Sequence, residues 1–282
     1  MKAITEHDDH LTRLKTQIHS YPSLLTAYSG GIDSTLVAWA ARKTLGKQAA
    51  PAVIADSPSL PRSELEAAIS LATELDIQLH TIQPNEQHDP DYQANQGNRC
   101  YFCKSHLYTD MIALAEKLGI KYLANGTNAD DTGDHRPGLT AASEAKIVSP
   151  LLDAGLTKTD VRRLAQKASL PNWDKPAAAC LASRIPYGTP VTPERLTQIE
   201  NAETALQTLG LSGFRVRYHD SLARIELQEN DLKRSILEHQ LRDQIILAVK
   251  AAGFTYVSLD LEGFRSGSGN LILTINQSNP TP

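Results

Sequence analysis

Cysteine is scarce in this 282-residue chain: there are three, an odd number that fits a secreted disulfide framework poorly. A reducing compartment, with thiols left for metal binding or chemistry, is the better match. No apolar stretch approaches the roughly 20 residues of a membrane span, and the start Met1-Lys2-Ala3-Ile4-Thr5-Glu6 carries no apolar signal region. The expected setting is therefore the cytoplasm, with no membrane partner. Basic charge is not in excess either. With 28 Lys and Arg against 32 Asp and Glu, the net charge of −4 gives no bias toward a long nucleic acid, and a transfer RNA substrate is disfavoured. Internal repeats and low-complexity tracts are also missing. What is present, 41% hydrophobic and 21% charged residues, suffices for a full core and two domains.

The most informative stretch is Ser29-Gly30-Gly31-Ile32-Asp33-Ser34, set between the apolar run Leu24–Tyr28 and the helical pattern Thr35–Ala41. Two adjacent glycines let the main chain approach an anion, and a following helix offers unpaired N–H groups and the positive end of its dipole. Ser29 and Ser34 add hydroxyl donors. The loop lacks the Gly-Lys-Ser/Thr ending of a Walker A motif and the three-glycine spacing of a dinucleotide fingerprint. It resembles the SGGxDS pyrophosphate loop of the N-type ATP pyrophosphatases, which split ATP between the α and β phosphates. That resemblance implies an ATP site drawing on Ala27, Ser29, Gly30, Gly31, Ile32, Asp33 and Ser34.

Short β-rich runs alternate with helical ones through the first part of the chain, which is α/β grammar. Strands are expected at Leu24–Tyr28, Ala52–Ala55, Ile77–Ile82, Tyr122–Ala124 and Lys146–Val148, with helices over 11–20, 32–45, 61–75 and 104–118. Residues 84–98, rich in Asn, Gln, Asp, Gly and Pro, read as a surface loop. Another helix opens at Thr157 or Thr159 and stops before Pro171. From about 190 the pattern changes to a helix at 193–208, strands at 213–219 and 222–227, a helix at 230–251 and a strand at 254–260. The expected architecture is a parallel-sheet PP-loop domain of the adenine nucleotide α-hydrolase kind over 1–188. A smaller α+β domain for substrate binding and oligomerisation follows over 189–276, with a disordered tail at 277–282.

In open α/β sheets ligands collect beyond the carboxyl ends of the strands. Asp56 follows the second strand and is placed to flank the adenine. Gly126 and Thr127 follow the fourth, ahead of the pair Asp130-Asp131. An ATP pyrophosphatase needs Mg²⁺ on the departing pyrophosphate, and Asp33, Asp130 and Asp131 are the candidate ligands.

Cys100-Tyr101-Phe102-Cys103 is a C-x-x-C motif, and Cys180 lies far from it in sequence. Three readings stay open at this point: a redox dithiol, a zinc site completed by His106 or another histidine, and an iron–sulfur cube held by three thiolates with one open iron.

Taken together, the loop, the cysteines, Arg136-Pro137-Gly138-Leu139, Thr157-Lys158-Thr159-Asp160-Val161-Arg162, Ser183-Arg184-Ile185-Pro186-Tyr187-Gly188, Arg215-Val216-Arg217-Tyr218-His219 and Gly263-Phe264-Arg265-Ser266-Gly267 resemble the LarE family. Its members are the pyridinium-3,5-biscarboxylic acid mononucleotide sulfurtransferases of nickel-pincer nucleotide biosynthesis. The resemblance implies an enzyme that adenylates carboxylates with ATP, releases pyrophosphate, and converts them to thiocarboxylates. One branch of the family sacrifices the sulfur of a cysteine at the position of Cys180. The other adds a C-x-x-C and holds a [4Fe–4S] cluster, which Cys100, Cys103 and Cys180 match, so sulfur is expected from a cluster-bound hydrosulfide. Sulfide or another sulfur donor, a small nucleotide substrate and a homo-oligomeric state are the implied partners. A synthetase or tRNA thiolase of the same superfamily is the alternative. Substrate anions are expected at Ser183, Arg184, Arg215, Arg217 and Arg265, because bidentate guanidinium groups suit carboxylate and phosphate. Glu203 matches a family position implicated in binding a metal near the substrate.

Overall fold

In the computed structural model, which describes residues 6–133 and 137–265, the chain begins with α1 (Glu6–His19) and β1 (Leu24–Ala27). It continues through α2 (Ile32–Leu45), β2 (Ala52–Ala55), α3 (Arg62–Glu74), β3 (Leu79–Ile82), α4 (Pro90–Gln93), α5 (Arg99–Leu118) and β4 (Tyr122–Ala124). Then come α6 (Pro137–Glu144), α7 (Pro150–Asp153), α8 (Lys158–Lys167), α9 (Pro193–Thr208), β5 (Arg215–His219), β6 (Leu222–Glu226), α10 (Glu229–Leu237), α11 (His239–Ala251) and β7 (Tyr256–Leu259). Two units result, Met1–Glu86 with Cys100–Ala178 and Gln87–Arg99 with Ala179–Pro282. Arg136, Ser266, Gly267 and the tail 277–282 lie outside the described residues. Among the described residues no helix is long and apolar enough to cross a membrane.

The first unit is an α/β layer structure on a four-stranded parallel sheet of order β3-β2-β1-β4. Its strands read as near-continuous apolar runs because helices cover both faces. Alternation along β1 sends Leu24 into one core, with Leu14, Leu36, Leu164 and Leu151, and Leu25 into the other, with Val53, Tyr108, Met111 and Leu123. Truncating either leucine to alanine removes a fully buried side chain, a change that costs about 2–5 kcal/mol. The chain steps outward from β1 to β2 to β3 and returns to β4 on the far side of β1. That reversal makes a crevice at the carboxyl ends of β1 and β4, where ligands of such sheets bind.

The second unit is α+β, with β5 antiparallel to β6 and β7 parallel to it. Its core is formed by Ile199, Leu206, Val216, Ile225, Leu227, Val249 and Phe254. Residues 87–99 belong here and not to a surface loop of the first unit. Asn95, fully buried at φ +51°, donates from Nδ2 to the carbonyls of Pro186 (2.8 Å) and Thr189 (2.9 Å). Arg99 Nη1 bonds Asn95 Oδ1 (2.6 Å) and the Ala182 carbonyl (2.7 Å). The second unit therefore begins at Ala179, ten residues or so ahead of the boundary expected from composition, and recruits an earlier piece of chain.

The helices α4, α6 and α7 are not among the expected elements, and two expected elements take another form. The expected strand at 146–148 is reduced to a single bridge from Ala124 to Val148, because Lys146 sits at φ +54° and cannot continue an extended run. The expected helix 230–251 is two helices parted at Glu238, whose φ −91° and ψ 96° are extended.

Candidate functional site

The loop after β1 is organised by its two serines. Ser34 Oγ accepts from the Ser29 N–H (3.1 Å), donates to the Gly31 carbonyl (3.1 Å) and lies 3.1 Å from Ser29 Oγ. Gly30 adopts φ +68°, and a Cβ there would lie 2.6 Å from the Ala68 Cβ on α3, so both conformation and space demand glycine. Gly31 is the N-cap of α2 and has no side chain to cap with, which leaves the first N–H groups of that helix to an outside acceptor. Gly126, after β4, approaches so closely that a Cβ would sit 2.7 Å from the Ser34 nitrogen. The loop residues Ser29–Ser34, with Gly126 and Thr127, thus come together at the crevice. Thr127 donates its N–H to Asn125 Oδ1 (3.0 Å), which also accepts from Ser149 Oγ (2.9 Å).

The three aspartates have distinct tasks here. Asp33, at the start of α2, accepts from Asn128 Nδ2 (3.0 Å) and pairs with the Lys158 ammonium. Asp130 accepts from the Lys158 main-chain N–H (2.8 Å), and Asp131 from the Asn128 N–H (3.0 Å). Lys158 opens α8, where Thr157 and Asp160 form a reciprocal capping box. Among the described residues no three or more His, Cys, Asp or Glu side chains gather as a metal-holding group. Asp56, beyond β2, pairs with Arg62, whose hydrogen bond holds its carboxyl below the usual range. Neither Lys158 nor Asn128 was singled out by the sequence reading. The signal available was the lysine at the first position of a strongly capped helix.

In the second unit Cys180 is the N-cap of a 3-10 turn, Leu181–Arg184. Arg184, 4% exposed, grips Glu203 through Nε (3.0 Å) and Nη2 (2.9 Å) and donates to the Ala179 and Cys180 carbonyls (2.7 and 2.9 Å). Glu203 also accepts the Val216 N–H (2.9 Å). Its place as the acid partner of Arg184 puts it beside the arginine set. Arg217 binds Glu226, 1% exposed, in the same bidentate manner (3.0 and 2.8 Å) and reaches the Ser183 carbonyl (2.9 Å). Arg224 lies opposite Arg217 across the β5–β6 pair, and Glu226 (3.3 Å from Arg224) offsets that like-charge contact.

Arg215 differs from its neighbours. It shares a face of β5 with Arg217, is half-buried, stacks 5.0 Å from the Phe264 ring centroid, and donates only to the Phe214 carbonyl (2.7 Å). Among the described residues no carboxylate lies within salt-bridge distance of it, although Glu203 and Glu226 act on it from further away. Burial, then the Arg184 charge, lowers its pKa, so an anion arriving there would relieve an electrostatic cost. Ser183 Oγ donates to the Cys180 carbonyl (2.7 Å). Arg265 is exposed and pairs with Glu262. None of the three cysteines is in a disulfide; Cys100 and Cys103 stand one turn apart on α5.

A parallel α/β sheet with a serine-glycine anion loop at the reversal of strand order, leading into an uncapped helix start, defines a PP-loop ATP-using enzyme. Residues 6–99 match the family described as NAD synthase. The chain is 45% identical over 250 residues to the uncharacterized protein slr1717 of Synechocystis, covering 89% of this chain and 92% of that one. It is 39% identical over 248 residues to the pyridinium-3,5-bisthiocarboxylic acid mononucleotide synthase of Lactiplantibacillus plantarum, covering 88% and 89%. A third relative, MJ0830 of Methanocaldococcus jannaschii, is 30% identical over 243 residues, covering 86% and 91%. The chain belongs to the LarE family of PP-loop synthases.

Proposed function

We propose that this protein uses ATP to adenylate the carboxylates of pyridinium-3,5-biscarboxylic acid mononucleotide and replaces an oxygen of each by sulfur. The likeness to the L. plantarum synthase over 88% of the chain carries this reading. A carboxylate is a poor electrophile at neutral pH, so activation must come first. The substrate carboxylate attacks the α-phosphorus, the bond to the β-phosphate breaks, and pyrophosphate leaves among the N–H groups at the start of α2 and the Lys158 ammonium. That region offers fixed positive partial charge where negative charge develops. Sulfide then attacks the acyl carbon, AMP leaves, and a thiocarboxylate remains. Arg215, free of a carboxylate partner, supports binding of the substrate phosphate beside Ser183 and the Arg184 and Arg217 frame.

Oxygen donors for Mg²⁺ are present in Asp33, Asp130 and Asp131, and Asp33, part-exposed at the mouth of the loop, suits a hard cation. Mg²⁺ bound there supplies charge neutralisation on the triphosphate. The ligand type suits a [4Fe–4S] cluster: three thiols outside disulfides, two of them one helical turn apart with Cys100 exposed. Cys100, Cys103 and Cys180 would be its ligands, and such a cluster would supply iron able to bind sulfide. The C-x-x-C favours this over sacrifice of the Cys180 sulfur. Exposed Leu237, Leu247 and Leu261 support self-association of the second unit.

The test is to purify the protein anaerobically, measure iron, and supply ATP, sulfide and the dicarboxylated nucleotide. AMP formed in step with more than one thiocarboxylate per polypeptide is the expected result. A ceiling of one product with loss of a sulfur's mass from the chain overturns the catalytic route. No AMP at all overturns the activity.

A further inference from the structure

The Gly30 carbonyl and the Gly31 N–H belong to one peptide plane and point to opposite sides of it. Turning that plane over is sterically cheap between two glycines, and the turned form would aim an oxygen where an N–H should face an anion. Something must hold the plane. In this fold the carbonyl side is held by Asn172, 142 residues further along the chain and 8% exposed, whose Nδ2 donates to the Gly30 carbonyl (3.0 Å) and to Thr35 Oγ1 (3.0 Å), while the Gly31 N–H makes only a long contact to Ser29 Oγ (3.4 Å). Its own Oδ1 is buried without a hydrogen-bond partner among the described residues, so the amide is committed to its donor face. On the other side Ala68 of α3 closes against Gly30, and Lys175 ties the same segment to Glu64 of α3 (2.7 Å).

We propose that Asn172 is a positioning residue that latches the Gly30–Gly31 peptide in its anion-binding orientation. It acts through the loop and has no contact with substrate of its own. This rests on the loop being the pyrophosphate site, and the experiment separates the two claims.

The probe is inorganic pyrophosphate with Mg²⁺, its affinity measured for wild type and Asn172→Asp from about pH 3.5, near the ordinary aspartate value, to about pH 8. The introduced acid keeps the size of the amide but donates to the Gly30 carbonyl only while protonated. The ratio of N172D to wild-type affinity is expected near one at the acid end and to fall about tenfold as the carboxylate ionises. Taking the ratio removes the titration of pyrophosphate itself. Lys175→Met, which loosens the same segment without touching Gly30, is expected within about twofold of wild type. Should N172D not accumulate, Asn172→Ser, whose hydroxyl is too short to reach, is expected about tenfold weaker at every pH. Wild type that holds no pyrophosphate overturns the loop's assignment. Wild type that holds it, with N172D or N172S binding equally at every pH or Lys175→Met as weak as they are, overturns the latch alone.

Discussion

Single side chains in this protein sort by whether their partner is supplied by the fold or left to a ligand. Arg217 and Glu226 are partners inside the second unit; Arg217→Ala removes two hydrogen bonds to a buried carboxylate and leaves it to Arg224, so a destabilisation of about 1–3 kcal/mol is expected in chemical unfolding. Arg215→Ala removes a cation with no acid partner; the expected result is a near-normal melting temperature, a raised KM for the mononucleotide and an unchanged KM for ATP. Gly30→Ala meets both φ +68° and the Ala68 contact at 2.6 Å, so a destabilisation of at least about 1–2 kcal/mol and loss of ATP binding should appear together in calorimetry. Tyr28, beside the loop, carries a pH signature. Burial pushes its phenol up to about 12 from the ordinary 10.0. Below the ordinary value both folded and unfolded forms are neutral and stability is unaffected. Between about pH 10 and 12 the unfolded chain ionises while the folded one resists, and roughly 2 kcal/mol is lost; Tyr28→Phe should flatten this alkaline fall in urea melts.

Elements were legible where their signal was local. Strands β1, β2 and β4, the helix after the loop, and the cap of α8 follow from apolar runs, glycines and Thr157-x-x-Asp160, all within a few residues of each other. The left-handed turn at Lys146 has no glycine or asparagine to announce it, and the break at Glu238 has neither glycine nor proline. Asn172, Asn128 and the pairing of Lys158 with Asp33 depend on residues 95 or more apart, which no window of sequence brings together. The arginines at 215 and 217 share a face as period two requires, yet which of them is already partnered is a tertiary fact. The cap itself can be tested: Thr157→Ala is expected to cost about 1 kcal/mol and, by loosening the start of α8, to raise the KM for ATP through Lys158.

At the scale of the whole molecule, the proposed function puts nucleotide chemistry in the first unit and substrate anion binding in the second. The cysteines divide the same way, two in one unit and one in the other. Cys100→Ser is therefore expected to lose iron and thiocarboxylate formation while still releasing pyrophosphate and forming adenylate, measured with labelled ATP. Loss of pyrophosphate release in that variant would contradict the separation of activation from sulfur delivery.

The recruitment of Gln87–Arg99 into the second unit also sets an order of events at the ribosome. Those thirteen residues emerge early but find the carbonyls of Pro186 and Thr189 only after the nascent chain has passed that point. Until then the Asn95 amide lacks the carbonyls of Pro186 and Thr189 that it binds in the folded protein. A gene fragment cut at 188 would keep the Pro186 carbonyl but lack Thr189 and most of the second unit to which Asn95 belongs, so dissecting this protein requires a permuted chain in which the early segment is carried with the later one.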